Sequence, residues 1–368
     1  MEPQPPRSTS LLLLALTLVV GIALGWLLHD VFRARSAAPI VIITATPSNP
    51  VAELPTTTPE PTATSEPTAT PEPTATPEPT ATPEPTVTPT ATATPEPTAT
   101  PTPDIVGYIG HTLAPGETLD QLAQAAGSSA VQVVSYNRLN DLPEPGRPLI
   151  VPLLAGREHT LPSEPLLVQR GPNTRPVVAL TLDAGASAAP VPRILDTLRQ
   201  RGVKITFFLT GRWIRENPEL ARQIVADGHE IANHSDTHAD FTTLDDESIR
   251  RELAITEQTM LEYADASTRP LFRPPYGATN ERVLNTVIAE GYLPIYWTLD
   301  SLDSVGEPKT PEFLLNRVTN TLTPEQLRGA IILAHCGSEP TADALPQILD
   351  RFAEMGLTVT TVSDVLGQ

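Results

Sequence analysis

The chain has 368 residues, of which 43 are acidic and 24 are Lys or Arg, which gives a formal net charge of −19. This balance argues against nucleic acid as a partner, because phosphate binding needs clustered Lys and Arg. At about 100–200 residues per domain, the length allows two domains and further segments. The single cysteine, Cys336, excludes an intramolecular disulfide.

Residues 8–28 form an uncharged apolar run that follows a short tail, residues 1–7. A helix needs about 20 such residues to cross a bilayer, so the run predicts a transmembrane signal-anchor. The alternative is a cleaved signal peptide, whose apolar region is shorter, about 7–15 residues. Arg7 on one side, and Arg33 and Arg35 on the other, leave the orientation open by charge alone.

Residues 29–106 are a low-complexity segment in which "TPEPTA" recurs with small variations. Such a segment lacks the apolar side chains that a core needs, and its prolines favour extended polyproline II backbone. We expect a disordered linker that acts as a spacer between the membrane and the rest of the chain. Its threonines are also potential O-glycosylation sites, as in other Pro-rich stalks.

Residues 107–154 predict a compact βααβ unit. A short strand leads into the turn Pro115-Gly116-Glu117-Thr118, two helical stretches follow, and "RPLIVP" closes the unit as a strand. The stretches "PGETLDQLA", "YNRLND" and "PGRPLIVP" resemble a LysM module. That resemblance implies binding to N-acetylglucosamine-containing glycans such as peptidoglycan or chitin, the alternative being a purely structural domain. Residues 155–175 are then a second linker.

Residues 176–368 alternate apolar runs with amphipathic stretches, which is typical of parallel β/α units. We predict an α/β fold, an irregular seven-stranded (β/α) barrel. The predicted strands are 177–182, 204–209, 230–233, 271–273, 295–299, 330–334 and 358–361. The predicted helices are 191–200, 218–226, 246–262, 281–290, 312–320 and 342–354.

Ionisable side chains follow five of these strands, where parallel barrels gather their active groups. They are Asp183, then His234 and His238, then Arg273 with Tyr276, then Asp300, and last His335. The two histidines of "HSDTH" are spaced to project from one face of a helical turn and bind one metal ion. The rigid "RPPYG" loop is suited to aim a backbone N–H at a developing oxyanion.

Five stretches of the sequence resemble the five motifs of the polysaccharide deacetylases, the NodB-type domain of carbohydrate esterase family 4. In order along the chain they are "TLDAG", "HSDTH", "RPPYG", "DSLDS" and "LAHC". The resemblance implies an N-deacetylase. In such an enzyme Asp183 would be the base that activates water, oriented by Arg273, and His234 and His238 would be metal ligands. The Tyr276 N–H would donate to the oxyanion, and His335, held by Asp300, would be the acid. Leu333 and Trp297 would form the acetyl pocket.

Three positions depart from the family motifs. Ala184 replaces the aspartate that is the third metal ligand, Ser304 replaces a pocket tryptophan, and Cys336 replaces an aspartate. The resemblance implies a divalent metal, zinc or else cobalt, nickel or manganese, but Ala184 removes a ligand. Asp183, Asp236 or Cys336 could each complete the set, and spacing does not choose among them.

The sequence therefore predicts a membrane-tethered hydrolase that removes N-acetyl groups from cell-wall polysaccharide. Two alternatives remain at this point: a polysaccharide O-acetyl esterase, and a glycan-binding protein that has lost catalysis. Cell-wall glycan is the expected partner, besides the membrane, with no obligate protein partner. Glycan-directed modules imply that everything after the anchor lies outside the cell and that residues 1–7 are cytoplasmic.

Overall fold

A computed structural model describes residues 104–367 of the chain. The predictions for the tail, the anchor and most of the first linker fall outside these described residues. Within residues 104–367, no helix combines the length and the apolar composition needed to cross a bilayer.

The first structural unit is a small βααβ module, as the sequence predicts. It consists of β1 (Ile105–Thr112), α1 (Leu119–Ala125), α2 (Ala130–Tyr136) and β2 (Pro148–Leu154). The two strands pair antiparallel, with Thr112 opposite Pro148. Helix α1 begins with a capping box, in which the Thr118 side chain and Gln121 satisfy each other's backbone N–H groups. The two helices pack on the strand pair through a small apolar core of their own.

This module packs directly on the larger domain. The Tyr136 hydroxyl donates a hydrogen bond of 2.7 Å to the carbonyl of Gly291, and the Tyr108 and Tyr136 rings lie 4.8 Å apart. The Arg269 guanidinium lies over the rings of Tyr108 and Tyr292, 5.8 and 4.6 Å from their centroids. Aromatic and cation–π contacts of this kind add to area burial at an interface. The module is therefore fixed to one side of the domain.

The larger domain is built on one parallel sheet. Its strands are β3 (Val177–Ala184), β4 (Thr206–Leu209), β5 (Glu230–Asn233), β6 (Leu271–Phe272), β7 (Leu293–Pro294), β8 (Leu299–Asp300), β9 (Ile331–His335) and β10 (Thr358–Thr360). The order is β7-β6-β5-β4-β3-β9-β8, and β10 pairs with the first residues of β3. All eight residues of β3 are buried, as expected of a parallel strand covered on both faces.

Helices cover the sheet: α3 (Val191–Arg201), α4 (Gly211–Glu216), α5 (Pro218–Ala226), α6 (Asp246–Ala264), α7 (Glu281–Ala289), α8 (Pro311–Asn320), α9 (Pro324–Leu327), α10 (Glu339–Glu354) and α11 (Val362–Val365). The six predicted helices are all present. Helix α10 begins three residues before the predicted start, because the Ser338 side chain accepts a hydrogen bond from the Thr341 N–H and caps it there. The additional helices have six residues or fewer, too short for a periodic pattern.

The predicted α/β fold of parallel strands is present, but the sheet has eight strands and forms a half-barrel rather than a seven-stranded barrel. The predicted strand 295–299 does not form as one strand. Strand β7 ends at Pro294, β8 begins at Leu299, and these two strands lie at opposite ends of the sheet order. Between those ends, Val168 forms a bridge to Ile295 and Arg170 forms a bridge to Ala330. The sheet is a half-barrel, because β7 and β8 do not pair with each other. The Ile295 N–H donates to the Phe272 carbonyl of β6 at 2.7 Å, and Ile295 also bridges Val168 in the segment after the module. The carboxyl ends of all strands still face one edge, where the candidate site lies.

Candidate active site

Asp183, next to last in β3, forms a buried ion pair with Arg273. Arg273 follows β6, is fully buried, and donates from Nη1 to Asp183 Oδ1 at 2.6 Å and to Thr181 Oγ1 at 2.8 Å. Its guanidinium also lies 3.9 Å from the centroid of the Phe208 ring. Burial lowers the pKa of Arg273, and the carboxylate of Asp183 opposes that effect. The predicted pairing is confirmed, and it fixes the Asp183 carboxylate in one orientation.

His234 and His238 lie beside this pair. His234 Nδ1 is 2.9 Å from the Arg273 carbonyl oxygen, and its Nε2 is 3.5 Å from Asp183 Oδ2. The two imidazole rings lie 4.9 Å apart. Burial lowers the pKa of His234 to about 4 and also lowers that of His238, so both imidazoles are neutral near pH 7. Neutral imidazole is the form that binds metal ions.

The spacing of the two histidines predicted a helical turn, but the structure has none at this position. Residues 234–238 form a loop in which Ser235 has φ 68° and His238 has φ 63°. The loop is held locally, since the Ser235 hydroxyl accepts from the His238 N–H and Asn233 Oδ1 accepts from the Ser235 N–H, both at 2.9 Å. These two left-handed residues, rather than helical periodicity, bring the rings together.

His335, at the end of β9, faces the same cleft and is held by Asp303. Its Nδ1 lies 2.7 Å from Asp303 Oδ1, and Asp303 Oδ2 accepts from the His335 N–H and the Thr341 hydroxyl at 2.8 and 2.6 Å. Burial alone would lower the pKa of His335, but the bond to Asp303 and the charge of Asp183 outweigh it and raise the pKa. Burial alone would raise the pKa of Asp303, but its hydrogen bonds with His335 and Thr341 outweigh burial and hold that pKa below its usual range.

The prediction that Asp300 holds His335 is therefore wrong. Asp300 Oδ1 accepts instead from the Leu302 N–H at 2.8 Å and so shapes the turn that follows β8. Leu302 has φ 63°, and this left-handed residue places Asp303 against the imidazole. The signal in the sequence was the second aspartate of "DSLDS", three residues after the one we chose.

Tyr276 and Trp297 form the opposite wall of the cleft. Tyr276 has φ 59° within a tight turn, Pro275–Gly277, and its exposed ring lies 4.5 Å from that of His238. A Cβ on Gly277 would lie 2.7 Å from the Trp297 side chain, so only glycine permits this close approach. Trp297 itself stacks on Tyr296 with centroids 3.9 Å apart. The turn is thereby packed in a fixed position.

These groups line one cleft of about 750 Å³, within the usual size of a small-molecule site. Every predicted site residue except Arg273 lines it, and Arg273 lies directly behind Asp183. The lining residues named above are Asp183, His234, His238, Tyr276, Gly277, Trp297, Asp300, Asp303, Leu333 and His335, together with Ser304. The predicted residues thus lie together, and of the two predicted pairs Asp183 with Arg273 is present, whereas His335 is bonded to Asp303 and not to Asp300.

The three residues proposed to replace the missing metal ligand lie in different surroundings. Cys336 is fully buried in the main apolar cluster, burial raises the pKa of its thiol, and it does not line the cleft. Asp236 is bound to Arg215 at 2.6 Å. Asp183 has one oxygen on Arg273 and the other 3.5 Å from His234. Ala184 is fully buried.

The donor set therefore does not fit a complete metal site. Catalytic zinc sites use three protein ligands, whereas here two imidazoles face a carboxylate that is already paired. Among residues 104–367, no group of three or more His, Cys, Asp or Glu side chains is arranged to hold a metal ion.

Comparison with known proteins gives the same class as the site. A family model for polysaccharide deacetylase matches residues 170–295. A peptidoglycan-N-acetylglucosamine deacetylase of Bacillus cereus is 30% identical over 198 residues, which are 53% of this chain and 90% of that protein. The structure of PdaA from Bacillus subtilis, a family 4 carbohydrate esterase, matches with 27% identity and a TM-score of 0.52 over 55% of this chain and 85% of that one.

A third similar structure is a pseudoenzyme of carbohydrate esterase family 4 from Bacillus anthracis. It is 32% identical with a TM-score of 0.51, over 55% of this chain and 69% of that chain. A mutant of that protein is described as having restored enzymatic activity. This chain belongs to the polysaccharide deacetylase family, whose members include both deacetylases and pseudoenzymes.

Proposed function

We propose that this protein removes acetyl groups from N-acetylated cell-wall glycan. The observation that carries the proposal is that two polarised pairs, Asp183 with Arg273 and Asp303 with His335, open onto one cleft. One pair presents a carboxylate and the other a histidine whose pKa is raised, which is the base and acid combination that amide hydrolysis requires. Similar proteins named as peptidoglycan deacetylases support the choice of substrate.

The reaction follows from the placement of these groups. The Asp183 carboxylate accepts a proton from a water molecule, whose oxygen attacks the acetyl carbonyl carbon. The Tyr276 N–H donates to the oxyanion, because the left-handed backbone at Tyr276 fixes that N–H in the turn. The His335 imidazolium then protonates the departing amine nitrogen as the C–N bond breaks. The products are acetate and a free amino sugar.

The set of metal ligands in this protein is incomplete. Deacetylases of this family are generally metal-dependent. With alanine at position 184, the part of the chain that the structure describes offers two imidazoles and no third protein ligand free for the metal. The reaction described above needs only Asp183, Tyr276 and His335. Activity should consequently be weaker than that of relatives with the complete set of ligands.

A second candidate function is glycan binding without catalysis. The observation that favours it is the incomplete ligand set, together with the similarity to a family member described as a pseudoenzyme. Retention of the acid and base pairs favours catalysis instead. Hydrolysis of O-acetyl esters uses the same groups, with an alcohol rather than an amine leaving.

The remaining parts of the chain extend the proposal. We propose that the βααβ module is a LysM module that binds the same glycan and that residues 8–28 anchor the protein in the membrane, with both domains outside. The module is packed on the catalytic domain through Tyr136 and Arg269, so glycan bound to one would stay near the other. Protease treatment of intact cells should digest both domains and spare residues 1–7.

The decisive experiment measures acetate release from N-acetylchitooligosaccharide, peptidoglycan and O-acetylated xylan. Wild-type protein is compared with Asp183→Asn and with Asp196→Asn, a matched control on the exposed surface of α3. We expect release from an N-acetylated glycan that Asp183→Asn abolishes and Asp196→Asn preserves. Release from xylan alone would identify an esterase. Retained glycan binding without any release would identify the non-catalytic alternative.

A further inference from the structure

A second cleft, of about 500 Å³, lies between the small module and the catalytic domain. The module contributes Asp141, Leu142 and residues 144–148, and the domain contributes residues around Arg170, Arg175 and Gly367. This cleft shares no lining residue with the catalytic one. Its volume is within the range of small-molecule sites, so it is large enough for an organic ligand.

The central feature of this cleft is Arg147. Its residue surface is only 6% exposed, and its Nε and Nη1 atoms are buried with no hydrogen-bond partner among residues 104–367. Burial lowers the pKa of Arg147 to about 10, against the opposing charge of Glu230, so the guanidinium stays protonated at neutral pH. A buried charged donor without a partner is costly and rare in native proteins. An anionic ligand would remove that cost.

The other charges around the cleft limit what kind of anion fits. Arg170 and Arg175 line it, but Arg170 donates to backbone carbonyls and Arg175 pairs with Asp364. Asp141 and Glu144 also line the cleft. With one unpaired guanidinium and two acids nearby, a single negative charge is favoured over the double charge of phosphate.

Besides these charged residues and Thr174, the side chains that line the cleft are apolar. Leu142, Pro145, Val365 and Leu366 contribute side chains beside the arginines. We infer that this cleft binds a monocarboxylate with a small apolar body, and that Arg147 holds the carboxylate. The module and the catalytic domain would then each contribute part of one ligand site. This inference does not depend on the deacetylase activity.

The test uses N-benzoylalanine and its carboxamide as a matched pair of probes. Neither contains an acetyl group, so the proposed reaction does not interfere. Binding to the full chain is measured by calorimetry in a buffer free of carboxylates and phosphate. We expect the acid to bind at least about tenfold more tightly than the amide, since a hydrogen bond to a charged group is worth that much. Equal binding of the two, or tighter binding of inorganic phosphate, would overturn the inference.

Variants locate the site. Arg147→Met should abolish acid binding and raise the melting temperature of the unliganded protein, because an apolar side chain replaces an unpaired buried charge. Arg175→Gln should weaken acid binding, whereas Arg199→Gln, another exposed arginine in an ion pair, should not. Acid binding that survives in Arg147→Met would refute the assignment. If that variant does not fold, equal affinity in Arg175→Gln and Arg199→Gln would refute it instead.

Discussion

The hydrogen bond between Asp303 and His335 can be tested directly by Asp303→Asn, which removes the charge and keeps the shape. Asp303 is fully buried and accepts three hydrogen bonds, two of them from His335. Asp300→Asn is the matched control, because Asp300 also lines the cleft but bonds to the Leu302 N–H. Both variants lose one negative charge near His335, and only one loses a bond to it.

The expected magnitude follows from this geometry. A hydrogen bond to a charged group contributes about 1.5–3 kcal/mol, and the lower end applies here because the His335 side chain is 31% exposed. Loss of about 1.5 kcal/mol of preference for the imidazolium form should lower the pKa of His335 in Asp303→Asn. A smaller fraction of His335 would then carry the proton that the proposed general acid donates. Because 1.5 kcal/mol corresponds to about one pKa unit, kcat should fall by up to about tenfold.

The pH dependence of stability has a defined sign. The pKa of His335 is raised above its usual 6.5, so the pair stabilises the fold fully below pH 6.5 and loses that contribution as the pH rises through the raised value. The pKa of Asp303 is lowered from 3.8, so the contribution is also lost as the pH falls through that lowered value. Between these limits, wild type should exceed Asp303→Asn most in free energy of unfolding.

The assay is an NMR titration of the His335 ring protons, together with urea unfolding between pH 3 and pH 9 (roughly the range over which both groups of the pair titrate). Acetate release supplies the activity measurement. A pKa of His335 that falls as far in Asp300→Asn as in Asp303→Asn would refute the reasoning, since the two would then act only as distant charges. An unchanged pKa in both variants would refute it as well.

Three further predictions concern the metal ligands, the buried ion pair and the module interface. Ala184→Asp should lower the melting temperature in the absence of metal, because a carboxylate enters a fully buried position. Zinc should then raise the melting temperature of this variant by more than it raises that of wild type. An equal effect of zinc on the two proteins would contradict this prediction. Arg273→Met should cost about 3–5 kcal/mol in urea unfolding, because the Asp183 carboxylate is left buried and unpaired. Gly291→Ala should destabilise the protein by at least about 1 kcal/mol more than Gly306→Ala. Both glycines have positive φ, but only a Cβ on Gly291 would collide with the Tyr136 hydroxyl of the module. Equal losses of stability would show that the interface tolerates the methyl group.

The composition of the candidate site was predictable because it depends on local order along the chain. Apolar runs that end in an ionisable residue predict buried parallel strands, and the carboxyl ends of such strands meet at one edge. Asp183, Arg273 and His335 could therefore be placed together from the sequence alone. The βααβ order of the module was predictable for a similar reason, since its turn and helix-capping residues are adjacent in sequence.

What the sequence left undecided depends on backbone conformations and contacts between distant residues. Asp300 and Asp303 are alike as sequence, and the left-handed residue between them decides which one reaches His335. The strand predicted at 295–299 does not form as one strand: Ile295 bridges Val168, more than a hundred residues earlier, and the next strand begins only at Leu299. Cys336 and Asp236 were removed as metal ligands only by the direction of their side chains, one into the apolar core and one onto Arg215. Residue order thus determined which groups share the cleft, and tertiary packing decided which of them touch.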